Sequence, residues 1–333
     1  MTTIEIADFG EPLYEIGSSL GEAPLYRPED DTLHYVCPLS DPPEVHVLSN
    51  LANFNSQARI LKPSDSISVV VFQKSKNGIY LGAGQGPFTF EASVVMIITR
   101  VFLELLPESA RGKVRFNDGA VDCKGRLWVG EFDLTCLGTP LSDPYIPKGR
   151  LWRYDPDGTA TTHDDEIYCS NGIAWSPDNK YMYYNDSYGC IVRRYDFDQD
   201  TGTLSNRIDF IDFRKPGDVV RRGTPEVAKT VPEYLRGGQP DGMVTDSEGN
   251  LWIAIWGKGC VLCFSAEGTL LREIRAKDTP HMTCPGWGGK DFDVLYCTSA
   301  VKPGEGRQSG CIFKLEVGKM WGVRGVEKMK FGA

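Results

Sequence analysis

Apolar and polar residues alternate in short runs along most of the chain, and the runs are separated by turns built on Asp, Gly, Asn and Pro. That period of two predicts β-strands rather than helices. One unit recurs: an apolar strand, a polar turn, then a second strand rich in aromatic residues. Six copies are visible, at Ala23–Pro38, Ser68–Gly82, Gly119–Phe132, Gly172–Ser187, Gly242–Trp256 and Met282–Ala300. In the third and fifth copies a Gly stands just before a Leu-Trp strand, in Asp122-Cys123-Lys124-Gly125-Arg126-Leu127-Trp128 and in Asp246-Ser247-Glu248-Gly249-Asn250-Leu251-Trp252. A Gly there suits a hairpin that needs positive φ. The fourth copy uses Ser176-Pro177-Asp178-Asn179 for the same turn.

Each hairpin is followed by a further strand pair, such as Gly149–Tyr154 and then Asp155-Pro156-Asp157-Gly158. Four strands at about 40 to 50 residues per repeat is the spacing of propeller blades, whose stacked sheets bury faces that no single sheet can bury alone. The expectation is an all-β, six-bladed β-propeller with four-stranded blades, filling residues 1–333 as a single domain. An insertion at about 207–238, containing Pro216, Pro225 and Pro232, should lie over one face as a loop or a lid. Helical patterning is confined to short pieces at Val101–Leu106 and Glu226–Leu235.

The repeats also place oxygen-bearing side chains in register. Glu22 in Gly-Glu-Ala-Pro, Asn117 in Asn-Asp-Gly, Asn171 in Asn-Gly-Ile and Asp241 in Pro-Asp-Gly all stand where a turn becomes an apolar strand. Alone, an Asn or Asp before Gly forms an Asx-turn, and a lone Glu decorates a surface. Repeated in matching units, they describe a shared centre. Two carboxylates and an amide oxygen suit one divalent cation, Ca²⁺ first, with Mg²⁺, Mn²⁺ or Zn²⁺ as alternatives. The four histidines, His34, His46, His163 and His281, lack metal-ligand spacing.

Bulk properties narrow the partners. Thirty-six basic against 45 acidic residues give a net charge of −9, with no Lys/Arg cluster long enough to follow a phosphate backbone, so nucleic acid is excluded as a partner. No apolar stretch reaches the roughly 18 residues of a membrane span, and Met1–Gly10 lacks the pattern of a secretory signal. The ten scattered cysteines then read as free thiols in a cytoplasmic protein. Cys260 and Cys263 lie three apart in a strand, facing opposite sides, which argues against a zinc or redox pair. Gly17-Ser18-Ser19-Leu20-Gly21 has the letters of a serine-hydrolase elbow without the helix that must follow. Asp196–Gly202 mimics a calcium loop, but its Gly falls one place late, and a hairpin turn fits better.

With these motifs in order, the chain resembles the gluconolactonase/regucalcin family, also called the senescence marker protein family, of sugar lactone hydrolases. The likeness runs from Gly21-Glu22-Ala23-Pro24 through Arg115-Phe116-Asn117-Asp118-Gly119 and Ser170-Asn171-Gly172 to Pro240-Asp241-Gly242-Met243 and Gly288-Gly289. It implies a divalent cation held by Glu22, Asn171 and Asp241, and a substrate pocket lined by Arg115, Asn117 and Asp118. It further implies hydrolysis of a small lactone, an aldonolactone first, with Asp241 as the base. Another ester or an organophosphate, and a non-catalytic calcium-binding propeller, remain alternatives. One departure is visible: where some members carry a substrate-contacting acidic residue after the third hairpin, this chain has Leu134-Thr135-Cys136 and a proline-rich stretch. Glu131 and Asp133 are nearby carboxylates whose direction the spacing leaves open, and Asp186, which ends the inner hairpin of the fourth repeat, is a candidate channel residue or outer partner of the site.

Overall fold

The structure is a computed structural model that describes residues 3–332 apart from 16, 53–55, 64–65, 75–79, 85–94, 98–111, 220–223 and 225–226. Its described strands form six sheets, almost wholly antiparallel. The chain divides into two compact units, one of Met1–Val70 with Asp241–Lys328 and the other of Val71–Pro240 with Met329–Ala333.

In the first unit, Glu22–Arg27, Thr32–Cys37, Glu44–Ser49 and Gln57–Leu61 form a four-stranded meander. A second sheet runs through Gln239–Thr245, Leu251–Trp256, Cys260–Phe264 and Leu270–Arg275, and Glu5–Asp8 adds to its edge in parallel. Met282–Gly288, Val294–Ser299 and Phe313–Leu315 make a third. In the second unit, Val114–Val121 leads a sheet that continues through Leu127–Asp133, Gly149–Tyr154 and Ala160–Ile167. Ser170–Trp175 leads another through Tyr181–Asp186, Ile191–Asp198 and Thr203–Asp212. The remaining sheet contains Ile67–Phe72, Tyr80–Gly84 and Val95–Ile97.

The two Asp…Gly…Leu-Trp turns are built alike. Asp122 Oδ1 accepts from the amides of Lys124 and Arg126, and its Oδ2 accepts from Arg126 Nε and from Trp128 Nε1 at 2.9 Å. Asp246 Oδ1 accepts from the amides of Glu248 and Asn250, and its Oδ2 accepts from Asn250 Nδ2 and from Trp252 Nε1 at 2.9 Å. Gly125 and Gly249 take φ of 80° and 87°, as the hairpins require. The same carboxylate thus closes the turn and anchors a fully buried indole, so each Trp can fill a core without leaving its N–H orphaned.

Two expectations need correction. The insertion begins later than 207, because Ile208–Asp212 completes the fourth strand of its sheet against Ile191–Arg194. The expected helix at Glu226–Leu235 does not appear over its described residues, 227–235: Lys229–Thr230 pairs in parallel with Ile211–Asp212, and a single 3₁₀ turn covers Glu233–Leu235. Pro232 precludes a continuous helix through that stretch. Val101–Leu106 lies outside the described residues. The chain end is tied into the second unit, where Phe331 donates to the Phe72 carbonyl and accepts from Lys74, Gly332 donates to Gly125, and the Phe331 ring stacks on Tyr154.

Candidate functional site

Four of the sheets share one irregularity in their leading strand. Three steps on that strand oppose two on its partner between Glu22 and Leu25, between Phe116 and Gly119, between Ser170 and Ile173, and between Met282 and Pro285. An extra residue of this kind bends the strand and re-aims its side chains. Glu22, Asn117 and Asn171 all fall at these bulges. So does Thr283, which the sequence reading passed over because its repeat offers no Asx-Gly signal.

Within the first unit, Glu22 is half-buried and Asp241 is buried at the start of its sheet. Both carboxylates act on the same buried thiol, Cys297. The Cys297 thiol is pushed well above its ordinary range, first by burial and then by the negative charges of Glu22 and Asp241. The backbone before Glu22 is held firmly: Gly21 donates its amide to the Ser299 carbonyl at 3.1 Å and accepts from Thr283 Oγ1 at 2.6 Å. Thr283 Oγ1 in turn lies 2.7 Å from Thr298 Oγ1. Beside Asp241, Gly242 lies directly against Cys284, and no larger residue fits there.

Within the second unit, Asn117 and Asn171 are drawn together. Asn117 Nδ2 donates to the carbonyl of Ser170 at 2.8 Å, so its Oδ1 is turned elsewhere as an acceptor. Asn171 Nδ2 donates to Ser187 Oγ at 3.0 Å, and that hydroxyl donates to the Pro240 carbonyl at 2.7 Å. Asn171 Oδ1 is buried and has no hydrogen-bond partner. Arg115 lies with its guanidinium 5.1 Å above the Phe132 ring and donates from Nη1 to the Phe116 carbonyl. Asp118 accepts from the Gly119 amide at 2.7 Å, a local turn contact.

Glu131, Asp133 and Asp186 prove to be internal clamps. Glu131 accepts from Arg150 through its amide, Nε and Nη2, and from Trp152 Nε1. Asp133 accepts from Thr135, the Tyr145 hydroxyl and the Lys148 amide; burial raises its pKa, and these donors outweigh burial and lower it. Asp186 holds the amides of Tyr168, Cys169 and Gly189 together with Arg193. All three are fully buried, with their lone pairs spent on structure.

The donor set suits a hard cation. Among the described residues no group of three His, Cys, Asp or Glu side chains is placed to hold a metal. A buried, unpartnered amide oxygen is costly unless something outside the protein satisfies it. Oxygen donors of this kind match Ca²⁺ or Mg²⁺ chemistry rather than a thiolate–imidazole zinc centre.

Comparison with known proteins identifies relatives of this chain. The chain is 28% identical over 305 residues to regucalcin of Danio rerio, covering 90% of each protein. It is 32% identical over 223 residues to pentonolactonase XacC of Haloferax volcanii, covering 63% of this chain and 66% of that one. Among solved structures, a luciferin-regenerating enzyme aligns with a TM-score of 0.74 at 24% identity, over 96% of this chain and 99% of its own. A calcium-binding regucalcin from Agrobacterium tumefaciens aligns over the whole of both chains with a TM-score of 0.72 at 22% identity. These likenesses establish an all-β propeller of four-stranded blades. The family profile described as SMP-30/Gluconolactonase/LRE-like region matches residues 20–301, and the chain therefore belongs to that family.

Proposed function

We propose that this protein is a metal-dependent lactonase: a six-bladed, single-domain propeller that hydrolyses a small lactone, an aldonolactone first, in the cytosol. The observation that carries the reading is Asn171 Oδ1, a buried acceptor without a protein partner at one of the register positions marked by the repeats. Family membership and relatives named pentonolactonase and 6-deoxy-6-sulfogluconolactonase support the reaction class. Ten free thiols suit a reducing compartment.

Glu22, Asn171 and Asp241 would hold the cation through oxygen. When bound, a divalent cation supplies Lewis acidity toward a lactone carbonyl and toward water. Asp241 takes the proton from the attacking water at a carboxylate oxygen, while the water oxygen bonds to the carbonyl carbon. Cleavage of the ring C–O bond then sends an electron pair to the ring oxygen, which takes up a proton and leaves as a hydroxyl. Arg115 and Asn117 orient the substrate: the guanidinium donates to sugar oxygens, and Asn117 Oδ1 accepts from a sugar hydroxyl. Asp118 supplies a further acceptor beside them.

The test is a pH-stat assay of aldonolactones, with aryl esters and an organophosphate as controls, supplying Ca²⁺, Mg²⁺, Mn²⁺ and Zn²⁺ in turn to chelator-treated protein. Acid release from an aldonolactone restored by a cation is expected. Turnover that persists after verified metal removal sinks the role of the cation, and full cation occupancy without hydrolysis of any lactone leaves a calcium-binding protein instead.

A further inference from the structure

We propose that Ser187 is the positioning residue that fixes which end of the Asn171 amide faces the cation; this rests on the metal reading above. The direction of the hydrogen bonds follows from what each group can do. The Pro240 carbonyl can only accept, so the Ser187 hydroxyl, 2.7 Å away, must spend its single proton there. Ser187 Oγ is then left with lone pairs alone toward Asn171, and only the amide nitrogen can answer it, at 3.0 Å. A flipped amide would set Oδ1 against the lone pairs of Ser187.

The amide therefore presents Oδ1 away from Ser187, and that atom is the buried acceptor without a partner. Ser187 and Asn171 are themselves buried, so water cannot readily replace either bond. The same hydroxyl pins the Pro240 carbonyl, whose peptide bond leads directly into Asp241. One serine thus orders an amide ligand and steadies the strand that supplies a carboxylate ligand. It is an outer-layer partner of the kind whose loss typically weakens a metal site by about 10- to 100-fold.

Ca²⁺ is titrated calorimetrically into the full, metal-stripped chain and into Ser187→Ala, Ser187→Thr, Asn171→Ala and the Ser187→Ala/Asn171→Ala double variant. Ser187→Ala should weaken Ca²⁺ binding by about tenfold or more, and Ser187→Thr, which keeps the hydroxyl, should stay within about threefold of the parent. In the Asn171→Ala background, Ser187→Ala should add little, since the amide it positions has gone. Unchanged Ca²⁺ affinity in Ser187→Ala overturns the proposal, as does equal weakening in both backgrounds. If the parent chain binds no Ca²⁺, the metal reading falls and this proposal falls with it. Should Ser187→Ala not fold, Ser187→Cys, a weaker donor and acceptor of similar shape, takes its place and must weaken binding by at least about threefold.

Discussion

Gly242→Ala should damage the first unit beyond what repacking of side chains can relieve. A Cβ built on Gly242 would sit 2.3 Å from Cys284 Sγ, 2.6 Å from Cys284 Cβ and 2.7 Å from Cys284 Cα. Rotation of the Cys284 side chain removes the first clash and leaves the others, since Cβ and Cα do not move with χ1. Carbon atoms pack at about 3.5 to 4.0 Å, so the two leading strands must part by about 1 Å. Forced separation of packed backbone costs about 3 kcal/mol, against which relief of glycine's entropic cost in a strand returns about 0.5 to 1 kcal/mol. A net loss of about 2 kcal/mol is expected. Urea denaturation followed by tryptophan fluorescence reads it as a lower midpoint, because Trp252 and Trp287 both lie in the affected core. Gly242→Ala combined with Cys284→Gly should recover about 1 kcal/mol, as contacting sites couple. A Gly242→Ala protein as stable as the parent refutes the reasoning.

Asp246→Ala strips the acceptor from two backbone amides, Asn250 Nδ2 and the buried Trp252 indole at once, and should cost about 3 kcal/mol of stability by the same assay, with Asp246→Asn costing less; equal stability of the Ala variant and the parent contradicts it. Acid should destabilise the fold through His34, whose pKa is lowered to about 3, chiefly by burial. Its folded pKa lies below the unfolded value of about 6.5, so the unfolded chain takes the proton first; stability is complete above that pH and declines from there toward pH 3, by about 2.7 kcal/mol at pH 4.5. His163, lowered to about 4 chiefly by burial, acts in the same direction. Denaturation midpoints at pH 7.5 and 4.5 measure the loss, which His34→Gln should reduce; a parent chain equally stable at both pH values excludes it. Asp241→Asn should leave a folded protein, checked by circular dichroism, with lactone hydrolysis depressed by about two orders of magnitude or more, and retained activity removes Asp241 from the role of base.

The strand pairs and their turns were legible because their signals are local. Asp122, Gly125 and Trp128, with their counterparts Asp246, Gly249 and Trp252, announce a hairpin within seven residues, and each pair of turns closes as its letters suggest. Asn171 and Asp241 could be singled out because an Asx-Gly step recurs at the same point of successive units. What escaped was whatever depends on contacts between repeats. Thr283 occupies a fourth bulge, yet a threonine in an apolar strand looks ordinary until its hydroxyl is seen on the Gly21 carbonyl. Ser187 is invisible for the same reason, since its partners stand 16 and 53 residues away. Glu131, Asp133 and Asp186 were indistinguishable from site carboxylates by spacing, and only their saturated hydrogen bonding separates them. The helical candidate at Glu226–Leu235 gave way, over its described residues, to a strand pair and one 3₁₀ turn because Pro232 interrupts it.

The placement of Phe331 and Gly332 couples segments far apart in the sequence. Their main-chain bonds to Phe72, Lys74 and Gly125 make the second unit discontinuous along the chain. The first unit likewise draws on both Met1–Val70 and Asp241–Lys328. Each unit is therefore closed by segments distant in sequence, and the chain entropy lost in bringing them together makes that closure a late, slow step of folding.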